Sequence, residues 1–231
     1  MTDEAMAGRI AQHIDDARKR IAQALAETGS DRDVLLMAVS KTVGLEEVRA
    51  AIDAGVHDFG ENRAAELKRK HDAYPEENWH FIGRIQTNKL KDVVGRACLI
   101  HSVASVHAAE AIDKIAAKMQ IVQPVLLEVN VSGEESKDGF APEELAEALE
   151  RCSKLEHVEV RGLMTMAPLG ELDTARHVFG RLREIEAELK VTYSKNDNVA
   201  LYELSMGMTQ DFEDAVREGS TIVRLGRSIF A

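Results

Sequence analysis

The stretch Val34-Leu-Leu-Met-Ala-Val-Ser-Lys41 decides how the chain is read. It is short and apolar, and it ends in a lone amine. A continuous apolar run of this length fits a strand buried on both faces, as in a parallel sheet covered by helices. The surrounding sequence repeats the pattern. Ahead of it, Met6, Ile10, Ile14, Ala17, Ile21 and Leu25 form a helical stripe that stops at Thr28-Gly29-Ser30. After it, strand candidates at 57–60, 79–83, 98–103, 124–131, 158–166, 201–206 and 221–225 alternate with helical segments. Those helices fall at 45–54, 63–71, 87–93 and 105–119, then after Pro142, then up to about Leu189, then at 211–218. A Gly- and charge-rich loop separates the fifth strand from Pro142, a residue tolerated in a first helical turn.

Eight strands alternating with helices predict an α/β fold: a single parallel (β/α)8 TIM-type barrel with an extra N-terminal helix. Residues 1–231 read as one domain, with 1–30 as a helix packing on the barrel. The sequence stops at Ala231, so no helix is expected after the eighth strand, and the N-terminal helix is expected to cover that gap. A doubly wound open sheet is the alternative. It calls for a glycine-rich phosphate loop after the first strand, and Val39-Ser-Lys-Thr-Val-Gly44 holds one glycine only.

The net charge of −11 argues against nucleic acid or an anionic membrane surface as partner, since both reward basic patches. Cys98 and Cys152 stand far apart, in no metal or redox spacing, which fits a reduced, cytoplasmic chain. The beginning of the sequence lacks a signal pattern, and no apolar run reaches membrane-spanning length. The eight histidines form no metal-binding spacing. His13, His71 and His177 read as surface helix residues, and Lys68-Arg69-Lys70 as a solvated face.

The carboxyl ends of barrel strands form the active face. Lys41 lies at the first of them. A lysine held there sheds water and becomes a Schiff-base former, although an unselected lysine after a strand is more often a solvated end. Ser205-Met-Gly-Met-Thr209 joins strand seven to a helix, with Thr209 as candidate N-cap. Leu225-Gly-Arg-Ser228 makes a second small-residue turn after strand eight. Barrels often hold phosphate between those two loops, and two ordinary tight turns are the competing reading. Arg224 sits inside strand eight, where a guanidinium is costly unless it is paired or faces a ligand. A lysine, a phosphate cradle and an arginine together describe pyridoxal 5'-phosphate.

The chain resembles the pyridoxal phosphate homeostasis proteins, a family that shares the alanine racemase N-terminal barrel. The stretches that carry the resemblance are Ala38-Val-Ser-Lys41, Phe59-Gly-Glu-Asn-Arg63, His80-Phe-Ile-Gly83 with Gln86-Thr-Asn-Lys89, Arg161-Gly-Leu-Met-Thr-Met166, Leu204-Ser-Met-Gly-Met208 and Val223-Arg-Leu-Gly226 with Ile229-Phe230. They run in order from about Val34 to Phe230. The resemblance implies that Lys41 holds the cofactor as a Schiff base and that Ser205, Gly207 and the Gly226-Arg227 turn hold its phosphate. It implies that Arg224 faces the pyridine nitrogen, and that Asn62, His80 and Met164 line or support the pocket. Many relatives have Thr at Arg227 and Gly at Ala231, which leaves open whether a hydroxyl or only backbone amides meet the phosphate at that turn.

The function implied by the resemblance is reversible storage and supply of the cofactor without substantial catalysis, with PLP-dependent apo-enzymes as recipients. An arginine at the ring nitrogen agrees, because it keeps the pyridine unprotonated and a weak electron sink. The alternative is an amino-acid racemase or lyase. Alanine racemases add a β-domain and a tyrosine base from the partner subunit, and the sequence shows neither, so a monomer is expected. An aldolase-type barrel using Lys41 is a third reading, and it leaves Arg224 unexplained. Lys137 is either a second amine for cofactor transfer or, more simply, a surface lysine. Glu61 is a candidate acid or base, or a carboxylate that is solvated or paired with Arg63.

Overall fold

The computed structural model describes residues 3–134, 137–168, 172–193 and 196–231. Residues 135 and 136, in the loop expected after the fifth strand, lie outside the described residues. Eight strands close into a parallel barrel in sequence order: β1 (Leu35–Val39), β2 (Asp58–Glu61), β3 (Asn78–Phe81), β4 (Leu99–Val103), β5 (Gln123–Glu128), β6 (Val158–Met164), β7 (Val199–Ser205) and β8 (Ile222–Leu225). Closure is made by β1 against β8, with Leu35 opposite Ile222 and Met37 opposite Arg224. The open-sheet alternative is thereby excluded.

The helices form the outer layer: α1 (Asp3–Ala26), α2 (Leu45–Asp53), α3 (Ala64–Ala73), α4 (Val106–Met119), α5 (Leu145–Cys152), α6 (Leu172–Thr192), α7 (Phe212–Arg217) and α8 (Arg227–Phe230). A 3-10 turn over Thr87–Asp92 replaces the helix between β3 and β4. Contrary to expectation, a helix does follow the eighth strand, although α8 is a single turn. Its shortness leaves a gap in the helical ring, and α1 fills it by packing on α2, α7 and α8. The buried face of α1 is Ile10, Ile14, Ala17, Ile21 and Ala24. Each isoleucine buried there contributes roughly 1.5–3 kcal/mol. His13 is not a free surface residue, because its Nδ1 lies 3.0 Å from the Ile229 carbonyl oxygen and ties α1 to α8. Arg20 reaches Glu213 on α7 through two bonds, of 3.1 and 3.0 Å, and lies over the Phe212 ring.

Strand alternation divides each strand between two environments. One face packs on the helices in a large apolar layer that includes Phe59, Trp79, Ile100 and Phe179. The other faces the barrel axis, where Met37, Leu99, Leu126, Met164 and Ile222 form a small separate cluster. A Cβ at Gly60 would come within 2.5 Å of the Met37 sulfur, so that position makes room for Met37 inside the barrel. Among the described residues, no helix is long and apolar enough to cross a membrane.

Candidate functional site at the carboxyl end of the barrel

Above the interior cluster the barrel axis turns polar. A cavity of about 430 Å³ opens at the strand ends, lined by Lys41, Asn62, Met164, Arg224, Gly226 and Arg227 among others. That volume suits a small cofactor. Lys41, Asn62, Met164, Arg224, Gly226 and Arg227 are thus brought together from β1, β2, β6 and β8, as the sequence suggests. Lys41 itself is exposed rather than dehydrated. It follows β1 in a turn closed by the Val43 amide donating to the Ser40 carbonyl oxygen over 3.0 Å. Its flexible stem reaches the cavity from a wet rim.

Arg224 is 5% exposed and points into the barrel. Its NH1 donates to the Ser205 carbonyl oxygen at 2.7 Å and to Ser205 Oγ at 2.8 Å, and its NH2 donates to the Thr165 carbonyl oxygen at 2.9 Å. Three of the five guanidinium N–H groups are used in this way, leaving two for an occupant of the cavity. Burial pushes its pKa down to about 10, while Asp211 and Glu128 work the other way, so it stays charged at neutral pH.

Behind Arg224 runs a buried chain of side chains from four strands. Asp58 Oδ1 lies 3.1 Å from His80 Nε2, His80 Nδ1 lies 3.0 Å from His101 Nε2, and His101 Nδ1 lies 2.9 Å from Ser205 Oγ. Burial opposes charge on His80, but the Asp58 carboxylate bonded to its Nε2 wins, with help from the nearby Cys98 side chain, raising it to about 9. Burial holds His101 well below its ordinary value, helped by the charges of His80 and Arg224. This pattern assigns the protons: His80 donates from both ring nitrogens, and neutral His101 accepts from it and donates to Ser205. Ser205 Oγ then accepts from both His101 and Arg224.

Several placements differ from expectation. Ser205 is fully buried and its hydroxyl is spent on Arg224 and His101, so it does not face the cavity. Gly207 does not line the cavity either. It holds a left-handed turn (φ 91°) where a Cβ would come 2.5 Å from the Ala215 Cβ, so it shapes the loop after β7. The hydroxyl that does line the cavity is Thr209. It is not a helix cap, because Asp211 takes the N-cap position of α7 and its Oδ1 accepts from the Met208 amide at 2.6 Å. Thr209 Oγ1 lies 3.3 Å from Ser228 Oγ, which joins the loops after β7 and β8. His80 does not line the cavity and acts from behind, through the chain just described.

Lys70 is the largest departure. It is fully buried, and its Nζ lies 2.5 Å from Glu61 Oε1 and 2.7 Å from the Ser40 carbonyl oxygen. Glu61 is therefore neither a solvated carboxylate nor a partner of Arg63. The three cations at 68–70 cannot share one face, because successive helical residues turn by about 100°. Lys70 falls three residues after buried Leu67, on the inner face of α3. His101, whose alternation with Leu99 along β4 points it inward, was legible by the same kind of periodicity. Elsewhere, Lys137 bonds the Met166 carbonyl oxygen at 3.3 Å and pairs with Glu134 at 2.6 Å. Glu128 is raised to about 7 by burial and by Asp138, against the pull of Arg224 and Arg84. Among the described residues, no group of His, Cys, Asp or Glu suits a metal ion.

The chain's closed parallel barrel carries a lysine after its first strand and a buried arginine in its eighth, and the model of the alanine racemase N-terminal domain family matches residues 13–231. A pyridoxal phosphate homeostasis protein of Aquifex aeolicus is 45% identical over 216 residues, which span 92% of this chain and 93% of that protein. The chain belongs to the pyridoxal phosphate homeostasis protein family. Among solved structures, a protein of unknown role from Bifidobacterium adolescentis superposes with a TM-score of 0.93 at 36% identity, covering 100% of this chain and 98% of that one. PipY of Synechococcus elongatus, solved with PLP bound, gives 0.78 at 35% identity, covering 91% of this chain and 100% of its own.

Proposed function

We propose that this chain binds pyridoxal 5'-phosphate reversibly, holding it as a Schiff base on Lys41 for storage and supply to PLP-dependent apo-enzymes. The observation that carries the reading is one cavity lined together by Lys41, Arg224, Thr209 and Arg227. The relative solved with PLP bound supports it.

The residues fit the cofactor's three functional parts. Lys41 offers the amine that would hold the aldehyde. Arg224 keeps two N–H donors for the ring nitrogen, and the chain from Asp58 through Ser205 holds its guanidinium in place. Thr209 and Arg227 line the cavity and would take the phosphate, with Ser228 bonded to Thr209 beside them and the Gly226-Arg227 turn at the same rim. Asn62 and Met164 would flank the ring, and His80 would act from behind. Once bound, the cofactor supplies an electron sink. A charged arginine against the ring nitrogen leaves the pyridine unprotonated and that sink weak. This favours storage over racemisation or decarboxylation. A cytoplasmic monomer of one domain completes the reading.

The test is the visible spectrum of the purified protein with added PLP, before and after incubation with single-enantiomer amino acids. A visible band that survives without amino-acid turnover is expected. Substantial turnover of any one enantiomer contradicts the carrier role, and absence of the band contradicts cofactor binding on a lysine.

A further inference from the structure

Lys41 presents an amine with nothing to aim it. Among the described residues its side chain makes no hydrogen bond or ion pair, and it is exposed. Its direction is set by the backbone of the turn that carries it, whose first residue is Ser40.

Ser40 is held at every polar atom. Its amide donates to the Gly60 carbonyl oxygen at 3.0 Å. Its hydroxyl donates to Glu61 Oε1 at 2.6 Å. Its carbonyl oxygen closes the turn with the Val43 amide and also receives Lys70 Nζ at 2.7 Å. Ser40, Glu61 and Lys70 are each fully buried. The cluster joins β1, β2 and α3 directly beneath the Ser40–Lys41 peptide.

Stability does not account for this arrangement. A buried ion pair is often matched or bettered by apolar residues of similar volume. This one also leaves Glu61 Oε2 buried without a partner, which adds to its cost. We infer that Lys70 and Glu61 are positioning residues for Lys41: by pinning the Ser40 carbonyl and hydroxyl they fix the turn, and with it the direction in which the Lys41 amine meets the cavity. The inference rests on the reading that Lys41 is the amine that takes the aldehyde.

The experiment uses the full chain, stripped of cofactor and mixed with PLP, and compares wild type with the double variant Glu61→Gln/Lys70→Met. The rate of appearance of the visible band is measured beside Tm. The double variant should keep or raise Tm yet form the band about tenfold or more slowly. In a Lys41→Ala background the same pair of substitutions should change PLP affinity less than about twofold, because the device acts only through Lys41. Ser40→Ala, which removes one of the three side-chain links, should slow the band by a few fold. Wild-type rates in the double variant overturn the inference. So does failure of the double variant to fold, because the pair would then be holding the fold and not the amine. If Lys41→Ala itself retains the wild-type band, the fault lies in the assignment of Lys41 to the aldehyde.

Discussion

Two buried polar clusters support the two ends of the site, and they are built by opposite means. Beneath Lys41 stands a compact ion pair, Lys70 with Glu61, fully enclosed between α3 and the barrel wall. Behind Arg224 stands a chain of four hydrogen-bonded side chains that crosses the barrel interior to Asp58, which is partly exposed. The ion pair concentrates charge where water cannot reach it. The chain holds its extra proton on His80 and ends near solvent at Asp58. The first therefore suits a fixed geometry, and the second couples Arg224 to protonation.

The difference sets the ranking of effects. Removing one member of the ion pair leaves the other as a lone buried charge. Lys70→Met alone should cost about 3–5 kcal/mol in denaturant unfolding, whereas adding Glu61→Gln should return stability to the wild-type level or above. Equal losses in the single and double variants would show that the pair is not a charge-compensated unit.

The chain behind Arg224 should respond to pH. His80 in the folded state is raised above its unfolded value of 6.5 to about 9. Its contribution is therefore fully present below about pH 6.5 and is lost as pH rises through 9, by roughly 3 kcal/mol at the full shift. Glu128, raised to about 7, gives a separate decline between about pH 4.5 and 7. Stability measured from pH 5 to 10 should show both limbs in wild type. Asp58→Asn should remove the alkaline limb and keep the other; an unchanged alkaline limb would mean that Asp58 does not hold the proton on His80.

Smaller effects fall on single hydroxyls and on the surface. Thr209→Val removes one neutral hydrogen-bonding group facing the cavity and should weaken PLP binding by about 1 kcal/mol, roughly fivefold. Ser205→Ala, by contrast, should weaken it only through Arg224. Lys68, two residues from Lys70, pairs with Asp72 on the exposed face. Lys68→Ala should cost no more than about 0.5 kcal/mol, which separates the solvated lysine from the buried one in a single helix.

Much of this was legible in the sequence. Strand and helix alternation gave all eight strands within a few residues, because apolar runs of strand length between helical stripes leave few other solutions. Lys41 and Arg224 were found because a charge at the end of, or within, an apolar strand stands out. What escaped depended on which way a side chain faces. Lys70 hid inside a run of cations whose helical spacing puts it on the inner face with Leu67. Ser205 lies on a loop-bordering strand whose inward side meets Arg224, and only the geometry separates it from Thr209, four residues on. The chain through His80 and His101 joins residues from separate strands, and no local pattern announces such a contact.

The most direct measurement is borohydride reduction of the PLP-loaded chain followed by peptide mapping of the labelled lysine. The label should fall on the peptide containing Lys41 and on no other, with Lys70 and Lys137 unmodified. A label on Lys70, Lys137 or a scatter of surface lysines would contradict the assignment of Lys41 as the amine that holds the cofactor.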